Sequence, residues 1–172
     1  MSTTRLNRNL WEIALPSDRV PINRTLMYRE TYSDSKELLR PELKVVVVDL
    51  AKFIRLWELD KNYVIPRAQE WDSEELETRT KFMEPHPPND PRGTGAIWMP
   101  RAGHHYFLER VPRPWWKLLE PVRQRKVFHV SIGNGRHRTR FVEHAGATTM
   151  PVEVDPASLD FYMNTCGLRV EP

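Results

Sequence analysis

Residues 127–155, VFHVSIGNGRHRTRFVEHAGATTMPVEVD, contain the pattern that decides the fold of this chain. The pattern predicts a strand, a glycine-rich turn, a short helix that ends at Gly146, and a second strand. Glycine permits positive φ angles and lets the backbone come close to a ligand. Gly133 and Gly135 therefore predict a tight turn that leads directly into the helix.

Three arginines, Arg136, Arg138 and Arg140, follow this turn. Cations at a helix N-terminus oppose the helix dipole, but the same position suits a bound phosphate. A spacing of two residues turns a helical side chain by about 200°. If the helix begins near His137, Arg136 and Arg138 converge on one anion, and Arg140 points to a neighbouring phosphate of a nucleic acid. The alternative is a set of solvated arginines after a turn.

The predicted phosphate-binding residues follow one another along the chain: Gly133, Asn134, Gly135, Arg136, His137, Arg138 and Thr139. His137 could donate a hydrogen bond to a phosphate oxygen or act as a general acid or base, because imidazole titrates near neutral pH. The alternative is a turn histidine without a chemical role.

The basic residues of the chain are unevenly distributed. Residues 101–140 contain ten lysines and arginines but only two acids, Glu109 and Glu120. This asymmetry predicts a basic face for an anionic partner, and the alternative is an ordinary solvated surface. Tryptophans lie in the same window and could stack on bases or pack in the core. The predicted nucleic-acid-binding residues are Trp115, Trp116, Arg123, Arg125, Lys126 and Arg140.

The composition is that of one globular domain. The chain has 172 residues, of which 40% are hydrophobic and 28% charged, enough for a sizeable core. No run approaches the roughly 20 apolar residues of a membrane span, and the first residues lack the apolar region of a secretory signal. One cysteine excludes an internal disulfide and a cysteine-based zinc site. We expect a cytoplasmic protein with no membrane partner.

Other segments predict further elements. KVVVVD at residues 44–49 predicts a strand that is buried on both faces. AKFIRLWEL at residues 51–59 fits a helix or a strand. Asp72 followed by Glu75 predicts a capped helix that ends near residue 83. PRPWWKLLEPVRQR at residues 112–125 predicts a helix that is interrupted by its internal proline.

Both ends of the chain predict short elements. Residues 10–13 predict a short strand, and residues 156–172 predict a short helix and a final strand. The valine strand and the strand–turn–helix–strand unit favour a compact α/β or α+β domain with a mixed sheet and short helices. We predict that residues 1–40 form an N-terminal extension packed on a domain of residues 41–172.

The turn and its surroundings resemble the ParB/sulfiredoxin superfamily. The resemblance lies in the order Gly135-Arg136-His137-Arg138, then an apolar helix, Gly146, and the MPVEV strand of residues 150–154. It implies a ParB/sulfiredoxin-like fold for residues 41–172, in which His137 and Arg138 face nucleotide phosphates. Arg136 stands where sulfiredoxins carry a catalytic cysteine, which excludes sulfinic-acid repair. ParB proteins carry glutamate there, so ParB-like CTP switching is not expected.

Within this superfamily, the chain is most similar to the plasmid fertility-inhibition factors of the Osa-like type. This resemblance implies ATPase and DNase activity against transferred DNA, with ATP and Mg²⁺ as cofactors. It also implies DNA or nucleotide as a partner, and a coupling protein of a conjugation or type IV secretion system as a protein partner.

The sequence leaves the chemistry of such an enzyme open. No Walker A motif is present, so ATP use would not follow the P-loop pattern. Mg²⁺ requires carboxylates, and candidates are Asp49, Glu109, Glu143 and Asp155. His137 and Glu143 are the candidate catalytic residues. The alternatives are a non-enzymatic DNA- or nucleotide-binding regulatory module and an inhibitor of a conjugation protein.

Overall fold

Thirteen helices and strands are described in a computed structural model, which covers residues 3–5, 10–13, 25–27, 43–62, 64–80, 97–117 and 121–171. The strands are β1 (Thr4–Arg5), β2 (Leu10–Glu12), β3 (Thr25–Met27), β4 (Lys44–Asp49), β5 (Ile97–Trp98), β6 (Arg101–Arg110), β7 (Gln124–Asn134), β8 (Thr149–Val154) and β9 (Gly167–Glu171). The helices are α1 (Leu50–Trp57), α2 (Ser73–Thr80), α3 (Arg136–His144) and α4 (Leu159–Thr165).

The larger sheet is mixed, as the sequence predicts. Its strand order is β7-β6-β8-β4-β9, in which β6 and β8 are parallel and all other neighbours are antiparallel. The valine strand β4 lies between β8 and β9, and its four valines are buried. A strand that is covered on both faces needs continuous apolar residues, which explains the valine run. The chain is therefore a mixed α+β domain with short helices.

A smaller sheet has the order β1-β2-β3-β5, with β3 parallel to β5. The predicted strand at residues 10–13 is confirmed as β2, and Trp11 and Ile13 beside it are buried in the core. Thr3 also connects the start of the chain to the larger sheet, because its backbone N–H donates to Thr149 Oγ1 at 3.0 Å.

Side-chain caps fix the starts of two helices. Asp49 Oδ1 accepts from the backbone N–H of Lys52 at 3.0 Å and caps α1. Residues 51–59, whose sequence fits either a helix or a strand, are therefore helical as far as Trp57. Its apolar residues share one buried face, as expected for an amphipathic helix. Asp72 Oδ1 accepts from the N–H of Glu75 at 2.7 Å, which confirms the predicted cap of α2. The predicted end of that helix near residue 83 lies outside the described residues.

The prediction of a helix at residues 112–125 is wrong. Only a 3₁₀ turn, Trp115–Lys117, occurs among its described residues, and β7 already begins at Gln124. Cross-strand pairing explains the difference, because Arg110 of β6 pairs with Gln124 of β7. The prolines of this segment also disfavour a long helix. The predicted helix and strand at the end of the chain are confirmed as α4 and β9.

The quoted segment has the predicted order: β7, the glycine turn, α3, Gly146 and β8. The helix α3 begins at Arg136, one residue earlier than predicted, with Gly135 as its N-cap. Gly146 ends the helix with a positive φ of 78°. The turn therefore lies where β7 leaves the sheet, beside the start of β6.

Beyond the sheet, β6 and β7 continue as a two-stranded ribbon, which we define as residues 103–110 and 124–131. β6 pairs with β8 only at Arg101 and Ala102, but it pairs with β7 as far as Arg110. Within the described residues, no third strand covers this part of the sheet. None of the helices described is long and apolar enough to cross a membrane.

Candidate phosphate-binding turn and basic ribbon

Gly135 is the conformational centre of the turn. Its φ is 91°, and a Cβ placed there would lie 2.8 Å from the Cα and 2.9 Å from the Cβ of Pro100. Only glycine fits this left-handed position and this close approach. Gly133 differs, because a Cβ there would lie 4.0 Å from its nearest neighbour, the carbonyl oxygen of Arg101. As N-cap, Gly135 also brings no side chain to the first turn of α3.

The first turn of α3 presents two side chains to solvent and holds two others in place. Arg136 and His137 are half-buried. Arg138 is nearly buried, and its Nη2 donates to Asn134 Oδ1 at 2.8 Å, which fixes the exposed Asn134. Thr139 is fully buried, and its Oγ1 donates to the carbonyl oxygen of Gly135 at 3.0 Å. Thr139 therefore stabilises the turn, which corrects its prediction as a phosphate contact.

The sequence did not indicate a fourth cation at this turn, Arg79 of α2. Its Nη1 lies 3.3 Å from Nδ1 of His137, and its guanidinium lies over the ring of Trp71 at 4.8 Å. Glu75, one turn earlier in α2, accepts from Arg79 Nη2 at 2.7 Å and holds the side chain. The Trp71 ring also lies 6.1 Å from the His137 ring. The contact between α2 and α3 thus adds a guanidinium to the turn, although α2 itself is rich in acidic residues.

The surroundings of His137 are strongly cationic. Burial lowers the pKa of His137 from its ordinary value, and the charges of Arg79, Arg136 and Arg138 lower it further. These surroundings favour the neutral imidazole, which titrates below its ordinary range. Three guanidiniums from two helices therefore lie near one imidazole.

Arg140 points into the protein. It is 1% exposed, and its Nη1 donates to Glu143 Oε2 at 2.8 Å and to Glu58 Oε1 at 3.2 Å. Its Nε and Nη2 donate to the carbonyl oxygen of Ile65, and its guanidinium lies 4.6 Å from the centre of the Trp57 ring. Arg140 is thus a buried link between α1 and α3, which corrects its prediction as a DNA contact.

Glu143 belongs to the same buried network. Besides its bond to Arg140, its Oε1 lies 3.9 Å from Nε of Arg67. Glu143 and His137 are six residues apart on one helix, which separates them by about 9 Å along the axis and about a third of a turn around it. The two candidate catalytic side chains therefore face different parts of the surface.

The carboxylates considered for Mg²⁺ already have partners. Each accepts a hydrogen bond: Asp49 from the Lys52 backbone, Glu109 from Arg125, Glu143 from Arg140 and Asp155 from Arg101. In the described part of the chain, no three His, Cys, Asp or Glu side chains are grouped so that they could hold a metal ion. These residues do not fit a protein-held Mg²⁺ site.

Comparison with known proteins identifies the family. Residues 45–167 match the family model of the plasmid fertility inhibition factors. The chain belongs to this family. Among solved structures, it is similar to the crystal structure of an oncogenic suppression activity protein, a plasmid fertility inhibition factor, in its gold(I) cyanide derivative. No curated protein matches the chain.

The structural similarity to that fertility inhibition factor supports the fold alone. The TM-score is 0.59 at 14% sequence identity, over 96% of this chain and 73% of that chain. The family model confirms the predicted similarity to fertility-inhibition factors. The wider ParB/sulfiredoxin assignment stays a prediction.

The other predicted nucleic-acid contacts of this chain lie at the end of the ribbon that is far from the glycine turn. Trp115 and Trp116 are 77% and 66% exposed. Arg123, Arg125 and Lys126 are also exposed. Eight residues of strand separate Lys126 from the glycine turn, a distance of about 26 Å. The structure thus separates the predicted residues into two groups, one at the glycine turn and one in the basic ribbon.

Proposed function

We propose that this fertility inhibition factor binds a phosphate group of DNA or of a nucleotide at the turn between β7 and α3. One observation carries the proposal: Arg79 of α2 contacts His137 between Arg136 and Arg138 of α3, and burial followed by these three charges lowers the pKa of His137. Like charges are gathered at a helix N-terminus, where the dipole is also positive. An anion at this turn offsets the mutual repulsion of these cations.

Each residue of the turn has a physical role in this proposal. Gly135 gives α3 its start against Pro100 without a side chain that would block the approach of a ligand. Arg136, which is half-buried, supplies the guanidinium for a charge-assisted bond to phosphate. Arg138 holds Asn134 in place and adds positive potential. Neutral His137 donates one hydrogen bond, or gains a proton beside the anion.

Binding is the primary proposal, and cleavage of ATP or DNA is secondary. Cleavage would use His137 as the general acid or base, since Glu143 is paired with Arg140 and faces another part of the surface. When Mg²⁺ is bound to nucleotide phosphates, it supplies charge neutralisation there. Among the residues that the structure describes, the carboxylates do not form a site that would hold the ion without the nucleotide.

The direct test is binding of ATP and of labelled single- and double-stranded DNA to Arg136→Ala. We expect this change to weaken binding about tenfold, because one charge-assisted hydrogen bond is lost. The matched control is Arg55→Ala, which removes the same charge from an exposed position of α1. We expect the control to change affinity less than twofold. Equal affinity of wild type and Arg136→Ala would reject the turn as the phosphate site.

The lowered pKa of His137 predicts a pH dependence of binding. A bound phosphate favours the protonated imidazole, so binding takes up a proton when His137 is neutral in the free protein. Affinity for a thymidine oligonucleotide, whose phosphodiesters do not titrate in this range, should therefore rise as the pH falls from 7.5 to 5.5. His137→Gln should remove this part of the rise. A variant with the wild-type pH profile would contradict the contact with His137.

A second candidate function is inhibition of a conjugation protein by direct contact. The observation that favours it is the exposure of Trp115 and Trp116, whose rings meet edge-to-face at 5.7 Å at the end of the ribbon. Large exposed aromatic side chains are typical of protein interfaces. A conjugation assay separates the candidates. Contact inhibition predicts that Trp115→Ser/Trp116→Ser abolishes inhibition of plasmid transfer and that Arg136→Ala leaves it unchanged.

A further inference from the structure

The ribbon has one face that is aromatic and exposed. Residues directly opposite each other in an antiparallel pair point to the same side. Tyr106 pairs with Phe128 and Leu108 pairs with Lys126, so these four side chains share a face. We call this the aromatic face of the ribbon. Glu109 and Arg125 pair with each other at the next position and lie on the opposite face.

The aromatic face continues a stack that starts in the core. At its base, the rings of His104 and Phe161 stack at 4.7 Å with an interplanar angle of 11°. Phe128 lies 6.2 Å from Phe161, and Tyr106 lies 5.7 Å from Phe128. The rings therefore form a row that runs along the ribbon from α4 towards solvent.

The outer part of this row is open to solvent. Tyr106 is 51% exposed, Phe128 43% and Leu108 55%. Exposed apolar side chains that lie side by side are uncommon on a protein surface and mark a contact site. The ribbon extends past the point where β8 stops pairing with β6, so the described sheet does not cover these residues. About half of the Tyr106 and Phe128 side chains therefore remains open to a ligand.

The charge of this face is positive. The Lys126 ammonium lies 4.5 Å from the centre of the Tyr106 ring, and Arg110 is exposed two residues beyond Leu108 on the same face. Glu109, at the next position of β6, lies on the other face, where it accepts from Arg125 Nε at 2.7 Å. Flat aromatic rings beside a lysine and an arginine match a ligand with planar groups and a negative backbone.

We propose that the aromatic face of the ribbon binds single-stranded DNA, with bases stacked on Tyr106 and Phe128 and the backbone beside Lys126 and Arg110. This inference rests on the proposed function, because it gives the same protein a second contact for the nucleic acid. Exposed aromatic side chains on a sheet, combined with basic residues, bind single strands in this way. Duplex DNA hides the faces of its bases, so the aromatic face discriminates against it. We choose DNA over RNA because the family inhibits the fertility of plasmids, which consist of DNA.

Two matched pairs of variants test the aromatic face. Tyr106→Leu removes the ring from the aromatic face, and Phe107→Leu makes a similar aromatic-to-leucine change on the opposite face. Lys126→Ala and Arg55→Ala remove one charge each, the first from the aromatic face and the second from an exposed position of α1. Affinity for a fluorescent thymidine oligonucleotide is measured against the logarithm of the salt concentration, and circular dichroism checks the fold of each variant.

We expect Tyr106→Leu to weaken binding about tenfold, since stacking of one base on one ring contributes on the order of a tenfold factor or more. Lys126→Ala should weaken binding and reduce the slope against log salt by about 0.7, the value for one phosphate of a single strand. Phe107→Leu and Arg55→Ala should stay within twofold of wild type. The wild type should bind the single strand at least tenfold more tightly than duplex DNA of the same length.

Other outcomes would overturn the inference in distinguishable ways. If Tyr106→Leu and Lys126→Ala match their controls while Arg136→Ala weakens binding, the aromatic face is wrong and the proposed function stands. If the wild type binds no nucleic acid, both fail. Equal affinity for duplex DNA rejects stacking, and tighter binding of an RNA strand of the same sequence rejects DNA as the occupant.

Discussion

Gly135→Ala is expected to lower the free energy of unfolding by about 3 kcal/mol. Alanine at φ 91° costs about 1–2 kcal/mol, and its Cβ would overlap the backbone of Pro100 at 2.8 Å. Pro100 cannot easily retreat, because its carbonyl oxygen accepts from the N–H of Glu153 in β8. The combined strain gives the large effect. Urea unfolding measures it directly.

Gly133→Ala is the matched control for this prediction. It lies two residues earlier in the same turn, has no positive φ, and would place its Cβ 4.0 Å from the nearest atom. We expect its free energy of unfolding to stay within about 1 kcal/mol of wild type. Equal stability of the two variants would show that the turn relaxes without the Pro100 contact, and the description of the turn would then be wrong.

Arg140→Ala is expected to lower the free energy of unfolding by about 3 kcal/mol. The change removes the bonds to Ile65 and leaves Glu58 and Glu143 with the more exposed Arg67 as their shared cation. Removal of one partner from a buried ion pair costs about 3–5 kcal/mol. We expect the lower end of this energy range because the side chains of Glu58 and Glu143 are 31% and 20% exposed. Thermal and urea unfolding test this value.

Two further measurements separate a structural role of Arg140 from DNA contact. Arg136→Ala, at a half-buried position of the same helix, should change stability by no more than about 0.5 kcal/mol. DNA affinity, measured at a temperature where Arg140→Ala is folded, should equal that of the wild type. If Arg140→Ala were as stable as the wild type but had lost DNA binding, the prediction that Arg140 contacts DNA would be right.

Much of the fold follows from local sequence. The four valines of β4 predict a strand that is buried on both faces, and Asp49 and Asp72 cap the helices that follow them. The glycines around α3 also fix where the helix begins and ends. These features act over a few residues, so a single sequence contains the information.

Contacts between distant segments could not be predicted in this way. Arg79 reaches His137 from 58 residues away in a segment that is rich in acids. Helical spacing shows that Arg140 turns away from Arg138, but the buried partners Glu58 and Ile65 come from another part of the chain. The helix predicted at residues 112–125 failed for the same reason, because pairing of β7 with β6 decided that segment.

The central claim is that the turn between β7 and α3 binds phosphate. The most direct measurement is an NMR titration of the protein labelled with ¹⁵N, with ATP and then with a thymidine oligonucleotide. The account predicts saturable shifts of the backbone amides of Gly135, Arg136 and His137, which Arg136→Ala weakens about tenfold and Arg55→Ala leaves unchanged. Saturable shifts confined to other parts of the chain, or none with either ligand, would contradict it.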